Sequence, residues 1–328
     1  MRHRWGTLSA LFLTLAVTSC GSGSGVTELK FGHVGAPGSL FARSAEEFAG
    51  RVNSELADRV VVNVFGSSQL GGDEVLLQKL KLGTVDFGLP STIMSSTVEA
   101  FGLFEMPYLI DDREHMQRIE AEIVWPTLAP LVLEKGLRII AVWENGFRHV
   151  TNNVRPIHRP ADLAGIKLRT PRGRWRVRLF QAYEANPTPM PLSEVFMALQ
   201  TGAMDGQENP FAQIHSSKFQ EVQTYLSITG HVYTPAFVTV GNARWERLPE
   251  DVRVIIERIA REMQDFVYRT AVQMEEVILR ELEAAGLEIN EADRASFIAA
   301  SQPIYTEFGE SVDEGEVLIN AALALRSQ

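Results

Sequence analysis

From Thr27 onward the apolar positions switch between two periods. Leu29 to Val34 alternates as a strand does, and Leu40 to Val52 sets Ala45, Phe48 and Val52 on one face of a helix. Val60 to Phe65 is a continuous β-branched run, the pattern of a strand covered on both faces. Gly72-Asp73 opens a helix through Leu82. Gly83 ends it before a strand at Val85 to Leu89, and Leu137 to Trp143 gives another strand after a helical stretch. Strands alternating with helices in this rhythm predict an α/β fold with a largely parallel sheet.

A second unit of the same kind follows. Pro160 to Gly165 reads as a turn into the short strand Ile166 to Thr170, which Pro171 closes. Arg174 to Ala185 has a helical pattern, as does Ser193 to Thr201, with Ser193 as its N-cap and Gly202 as its stop. Tyr225 to Thr229 and Ala236 to Val240 read as two strands. Beyond Pro249, Val252, Ile255, Ile256, Ile259, Met263, Phe266 and Val267 keep helical spacing, and Met274, Val277, Ile278 and Leu282 extend it. A helix from Asp251 to Ala284 is about 50 Å long at 1.5 Å per residue. That is longer than one small domain, so it is expected to cross and tie two lobes. Two α/β lobes joined by crossovers leave a cleft at the carboxyl ends of their strands, a common place for small-ligand sites.

The start of the chain reads differently. Met1 to Arg4 carries two arginines, and the apolar run Leu8 to Val17 is too short to span a bilayer comfortably but fits the core of a signal peptide. Val17-Thr18-Ser19-Cys20 resembles a bacterial lipobox, which implies a signal peptide over 1–19 and lipidation at Cys20. An ordinary signal peptide cut nearby is the plainer alternative. Gly21 to Gly25 reads as a flexible tether, so 20–27 links anchor to folded domain. With Cys20 as the sole cysteine, an intramolecular disulfide is excluded.

Composition is that of a globular protein, with 45% hydrophobic and 22% charged residues. The net charge of −10 argues against nucleic acid or an anionic membrane surface as principal partner. An anionic ligand therefore needs a local positive site.

Arg169 ends a short apolar strand, where its side chain would point into the cleft. A guanidinium offers a planar fork of donors that matches both oxygens of a carboxylate. Asn209, held out of helical geometry by Pro210, offers a directed amide. On residue type alone, a surface or interdomain salt bridge is the simpler reading of Arg169. The surrounding block changes that. Gly165 to Pro171, Thr188 to Phe196, Ala198 to Gly202 and Asp205-Gly206-Gln207-Glu208-Asn209-Pro210 together closely resemble the solute-binding proteins of tripartite ATP-independent periplasmic (TRAP) transporters. Gln69 to Gly72, Gly83 to Phe87, Met106 to Tyr108, Gly146 to Arg148 and Lys218 to Val222 match in the same order.

The resemblance implies a two-lobed periplasmic-binding-protein fold that closes on an organic acid and delivers it to membrane permease subunits driven by ion gradients. It assigns 28–147 with 235–274 to one lobe and 148–234 with 275–328 to the other. The principal carboxylate-binding arginine falls on Arg169, its supporting asparagine on Asn209 and a second arginine on Arg148. A hinge salt bridge to Glu144 is the competing account of Arg148. His33, Ser91 and Thr92 stand at strand ends facing the cleft, although His33 is equally readable as a structural histidine. Asp73 reads first as a helix cap and second as a ligand contact. Leu192 stands where sialic-acid-binding relatives carry an aromatic, which disfavours that substrate. Arg172, Arg174, Trp175, Arg176 and Arg178 read mostly as a solvated helix face, with Arg172 or Trp175 as a specificity element.

Enzyme readings find little support. His115, His149, His158, His215 and His231 lack the four-residue spacing of a zinc helix, and there is no Gly-x-Ser-x-Gly elbow. The expectation is a receptor with neither metal nor cofactor, exported to the periplasm. A receptor that presents its closed form to a sensor kinase or chemoreceptor is the alternative. Dicarboxylates, sugar acids, keto acids and aromatic acids all fit an arginine-centred site.

Overall fold

The computed structural model describes residues 25–326. The residues read above as signal peptide and lipobox, Cys20 included, lie outside the described residues. The first half contains β1 (Thr27–Gly32), α1 (Leu40–Glu55), β2 (Val60–Phe65), α2 (Asp73–Leu82), β3 (Phe87–Gly88), α3 (Arg113–Ile119), α4 (Ala129–Glu134) and the long β4 (Leu137–Asn152). Then come β5 (Lys167–Thr170), α5 (Arg174–Ala182), β6 (Asn186–Pro189), α6 (Leu192–Gln200), β7 (Gly206–Asn209) and α7 (Phe211–Ser216). The chain finishes with β8 (Tyr225–Gly241), α8 (Asn242–Trp245), α9 (Glu250–Ala284), β9 (Glu288–Glu291), α10 (Arg294–Ser311) and α11 (Gly315–Ala324).

All the described strands join one sheet in the order β2-β1-β3-β8-β4-β7-β5-β6, with β9 added beside β8. Its two ends are parallel, as expected. Its centre is not: β8 runs antiparallel to both β3 and β4, and β4 antiparallel to β7. The two strands expected at 225–229 and 236–240 are one strand of 17 residues, and the strand expected to stop at Trp143 runs on to Asn152. These two strands cross the whole molecule side by side.

Pro235 stands inside β8 opposite Glu144. It has no N–H for the ladder, which normally confines proline to edges and bulges. Here the register slips between Glu144 and Gly146, leaving Asn145 unpaired, and further slips follow Ile139 and Arg148. Gly146 sits at φ +116°, a conformation that suits a residue with no Cβ.

The core lies on both faces of the sheet. Ala236, Val238 and Val240 of β8 pack with α1 and α9, while Phe237 between them packs with residues of α2 and with Phe101 and Phe104 on the opposite face. Helix α9 runs 35 residues and buries Val252, Ile256, Ile259, Met263, Val267, Met274, Ile278 and Leu282 as one stripe. Three local expectations shift. The N-cap of α6 is Pro191 rather than Ser193, α5 ends at Ala182, and β3 shrinks to Phe87–Gly88.

Candidate functional site

A cavity of about 300 Å³ opens where the carboxyl ends of β5 and β7 face the N-terminal turn of α2 and the loop after β3. Arg169, Asn209, Arg148, Asp73, Ser91, Thr92, Leu192 and Arg172 all line it.

Arg169 is 3% exposed. Its Nε and Nη2 both donate to the Met190 carbonyl oxygen, at 2.9 and 2.5 Å, which steers the guanidinium along the cavity wall. Burial pulls its pKa down to about 9, with the charge of Glu208 acting against that pull. Its hydrogen-bond acceptor is a neutral carbonyl, and the carboxylates that offset its charge, Glu208 and Asp73, do so without a hydrogen bond to it.

Arg148 is differently placed. Its Nε and Nη2 grip the Glu208 carboxylate at 2.5 and 2.9 Å, and Nη2 also reaches the Glu208 carbonyl and Asn209 Oδ1. The salt bridge to Glu144 considered for Arg148 is not formed. Glu144 accepts two 2.7 Å bonds from Arg113, which also reaches Glu275 on α9. Glu208 is fully buried and holds Arg176 Nη1 at 2.7 Å and His231 Nε2 at 3.1 Å. Burial pushes Glu208 up, yet Arg148 and Arg176 together hold it well below the usual carboxylate range. Burial keeps His231 neutral, down to about 4, so Nε2 donates to Glu208 and Nδ1 accepts from the Thr229 hydroxyl.

Asn209 inherits its orientation from this network. Its Oδ1 is fixed by Arg148, and its Nδ2 donates to Gln207 Oε1 at 2.6 Å, leaving one amide hydrogen for the cavity. Ser91 Oγ donates to the Pro235 carbonyl at 2.7 Å and accepts from Asn145 Nδ2 at 3.3 Å. The bulge opposite Pro235 is thus what sets Asn145 into the cavity lining.

Asp73 does not cap its helix. The N-cap is Gly72, and Asp73 stands one residue inside, facing the cavity. Burial pushes its carboxyl up to about 7 against the opposing charge of Arg169. His33 lies behind the wall rather than on it, packed against Gly66 and neutral, with burial lowering it to about 4. The basic cluster divides. Arg172 is half-exposed and paired with Glu74 across the cavity mouth at 3.2 Å. Arg174 and Arg178 sit outside on Glu99 and Glu307. Trp175 and Arg176 are fully buried, so the solvated-face reading fails for those two. Among the described residues no cluster of His, Cys, Asp or Glu has the arrangement of a metal site.

The sequence profile of DctP, bacterial extracellular solute-binding protein family 7, matches residues 31–311, which takes in every cavity residue. The chain belongs to this family. Among curated relatives, the 2,3-diketo-L-gulonate-binding periplasmic protein YiaO of Escherichia coli K12 is 29% identical over 315 residues, 95% of this chain and 96% of that protein. Two solved TRAP periplasmic solute-binding proteins superpose closely. One, from Polaromonas sp. JS666 and bound to D-erythronate, has a TM-score of 0.88 at 32% identity, covering 92% of this chain and all of that one. Another, from Sulfurospirillum deleyianum with bound succinate, has a TM-score of 0.87 at 31% identity, covering 92% and 99%. This DctP-family member is therefore a periplasmic solute receptor of the TRAP type, with the two-lobed α/β fold of those structures.

Sequence reasoning missed Glu208 as the hub, Arg176 as its partner, and Asn145, Glu74 and Gln213 in the lining. Asn145 was findable: it directly precedes the Gly146-Phe147-Arg148 match.

Proposed function

We propose that this protein captures a small organic carboxylate between its lobes through Arg169 and passes it to ion-gradient-driven TRAP permease subunits. The observation that carries this is the buried Arg169 guanidinium on the cavity wall, whose hydrogen-bond partner is the neutral Met190 carbonyl. A ligand carboxylate would supply the missing charge and accept a forked pair of bonds. Asn209 adds an amide donor, and Arg148 serves mainly to aim Asn209 and neutralise Glu208. Ser91, Thr92, Asp73 and Leu192 form the remaining walls, and Arg172 closes the mouth with Glu74. Both ligands named for the two solved relatives, D-erythronate and succinate, bear a carboxylate.

In this reading one lobe comprises 28–147 with 235–274, the other 148–234 with 275–328, and the hinge lies where β4 and β8 pass between them. Contacts to both lobes favour the closed state, and closure excludes water from the charged contact. A lipid on Cys20 would hold the receptor at the membrane through the glycine-serine tether; Cys20→Ser is then expected to leave the protein in the soluble periplasmic fraction. Retention of that variant in the membrane fraction would remove the anchor.

The central test is a thermal-shift screen of the chain from Val26 against organic acids and their uncharged analogues. A ligand at about a hundred times its dissociation constant adds about 2.7 kcal/mol. Arg169→Ala is expected to abolish the shift while keeping a cooperative melt, and Arg169→Lys to bind weakly because a point charge does not replace the fork. Binding of acids by Arg169→Ala at wild-type affinity would refute the assignment.

A further inference from the structure

The charges around the cavity are unequal at its two ends. Behind it, Arg148 and Arg176 face two carboxylates, Glu208 and Glu105. Glu208 binds both guanidinium groups, and Glu105 Oε2 accepts the Arg176 backbone N–H at 3.0 Å. Arg172 at the mouth is taken by Glu74. That leaves Arg169 as the one lining arginine, among the described residues, whose hydrogen-bond partner carries no charge; Glu208 and Asp73 offset its charge without such a bond.

The opposite wall is acidic. Asp73 and Glu74 occupy the first turn of α2 and line the cavity, so the positive end of that helix dipole already has its anions. Between the two walls the polar lining is neutral: Ser91, Thr92, Asn145, Asn209 and Gln213 offer hydroxyls and amides that both donate and accept.

We propose that the site selects a hydroxylated monocarboxylate and rejects dicarboxylates, with Asp73 as the specificity-determining residue. This rests on the Arg169 carboxylate reading. The acid group lies on Arg169, a chain of hydroxyls follows the neutral lining, and the far hydroxyl bonds to Asp73. A second carboxylate at that far position would face Asp73 and Glu74 without a free cation. Like charges about 5 Å apart at an effective dielectric near 20 cost roughly two powers of ten in affinity. The raised Asp73 pKa, about 7 through burial, agrees with a wall where negative charge is already disfavoured.

The test uses pairs of sugar acids that differ only at the far carbon, such as D-gluconate with D-glucarate and their four- and five-carbon counterparts. Calorimetry is run at pH 8, above the value of about 7 to which burial raises Asp73 and Glu105. One monoacid is expected to bind at least a hundredfold more tightly than its diacid. In Asp73→Asn that ratio is expected to fall at least tenfold, mainly through tighter diacid binding; the variant's melting curve reports that it is folded. Equal affinity for monoacid and diacid, or an unchanged ratio in Asp73→Asn, would overturn the proposal while leaving carboxylate capture in place. Preference for an unhydroxylated monoacid such as hexanoate would overturn it as well. Binding of the matching uncharged polyol in preference to every acid would remove the Arg169 reading itself.

Discussion

Glu208→Gln removes one charge from the buried hub and leaves two guanidinium groups, on Arg148 and Arg176, without their shared carboxylate. All three side chains are 0–2% exposed, so water cannot take its place. Breaking one side of a buried ion pair costs about 3–5 kcal/mol. With an unfolding entropy of about 2.1 cal/mol/K per residue, a protein of roughly 300 folded residues loses about 0.6 kcal/mol per degree at its midpoint. The variant should therefore melt about 5–8 °C lower by scanning calorimetry at pH 7. The sign of the pH dependence follows from the depressed pKa of Glu208. Its contribution is fully present above the ordinary carboxylate value near 4.5 and is lost only as pH falls through the lower folded value. The gap between wild type and variant should accordingly stay constant from pH 8 to pH 5 and shrink in stronger acid. Glu208→Leu combined with Arg148→Met and Arg176→Met should recover part of the loss, because neither guanidinium is then stranded, although Glu105 loses the charge of Arg176. A single variant melting within 2 °C of wild type, or a gap that closes between pH 8 and pH 5, would refute this reasoning.

Two further outcomes follow from the same geometry. His149 stacks on Phe211 at 4.0 Å, and burial, chiefly, lowers its pKa to about 3. A histidine held neutral stabilises the fold above its unfolded value near 6.5 and loses that contribution as pH falls toward the folded value. His149→Phe should thus gain about 2 kcal/mol relative to wild type between pH 7.5 and pH 5, visible as a relative rise of about 3 °C in melting temperature; a pH-independent difference would count against it. Arg172 pairs with Glu74 while half-exposed, so Arg172→Ala should change stability by less than about 1 kcal/mol. Because the pair bridges the cavity mouth, ligand release measured by stopped flow should speed up roughly two- to fivefold at low salt, with no difference at 0.5 M salt; an equal release rate at low salt would show that the pair does not hold the mouth closed.

The outer parts of the fold were legible because they obey one period each. The stripe from Val252 to Leu282 is a helix under any tertiary arrangement, and Gly83, at φ +70°, stops α2 where a glycine is expected. The centre was not legible. Gly230 and Pro235 lie between the two expected strands, and pairing with β4 on either side, at Tyr225–Ser227 and Val232–Gly241, is what carries one strand through them. Arg169 and Asn209, read from their block, and Ser91 and Thr92, read from their strand ends, all line the cavity. The hub was hidden for a different reason. Arg176 and Glu208 are 32 positions apart and on different elements, so their meeting is a product of β5 lying beside β7. A basic run on a short helix looks solvated until the fold turns one of its members inward.

Pro235 and the slips in β4 have a mechanical consequence. Two long strands bonded along their length behave as a stiff leaf, and a missing rung or an extra residue is a notch where the leaf bends most easily. Because two of the three notches fall at residues 144–150, opposite 227–235, bending concentrates in that band, beside the same bulge that carries Asn145 and next to Arg148. Apolar cores cover both faces of the leaf, and α9 packs against β4. Such a flexure has one soft direction and resists shear and twist. The closure proposed above would gear motion at the mouth to displacement at the notch, so that a contact formed within a few ångströms of the pivot would be amplified at Arg172 and Glu74 on the rim.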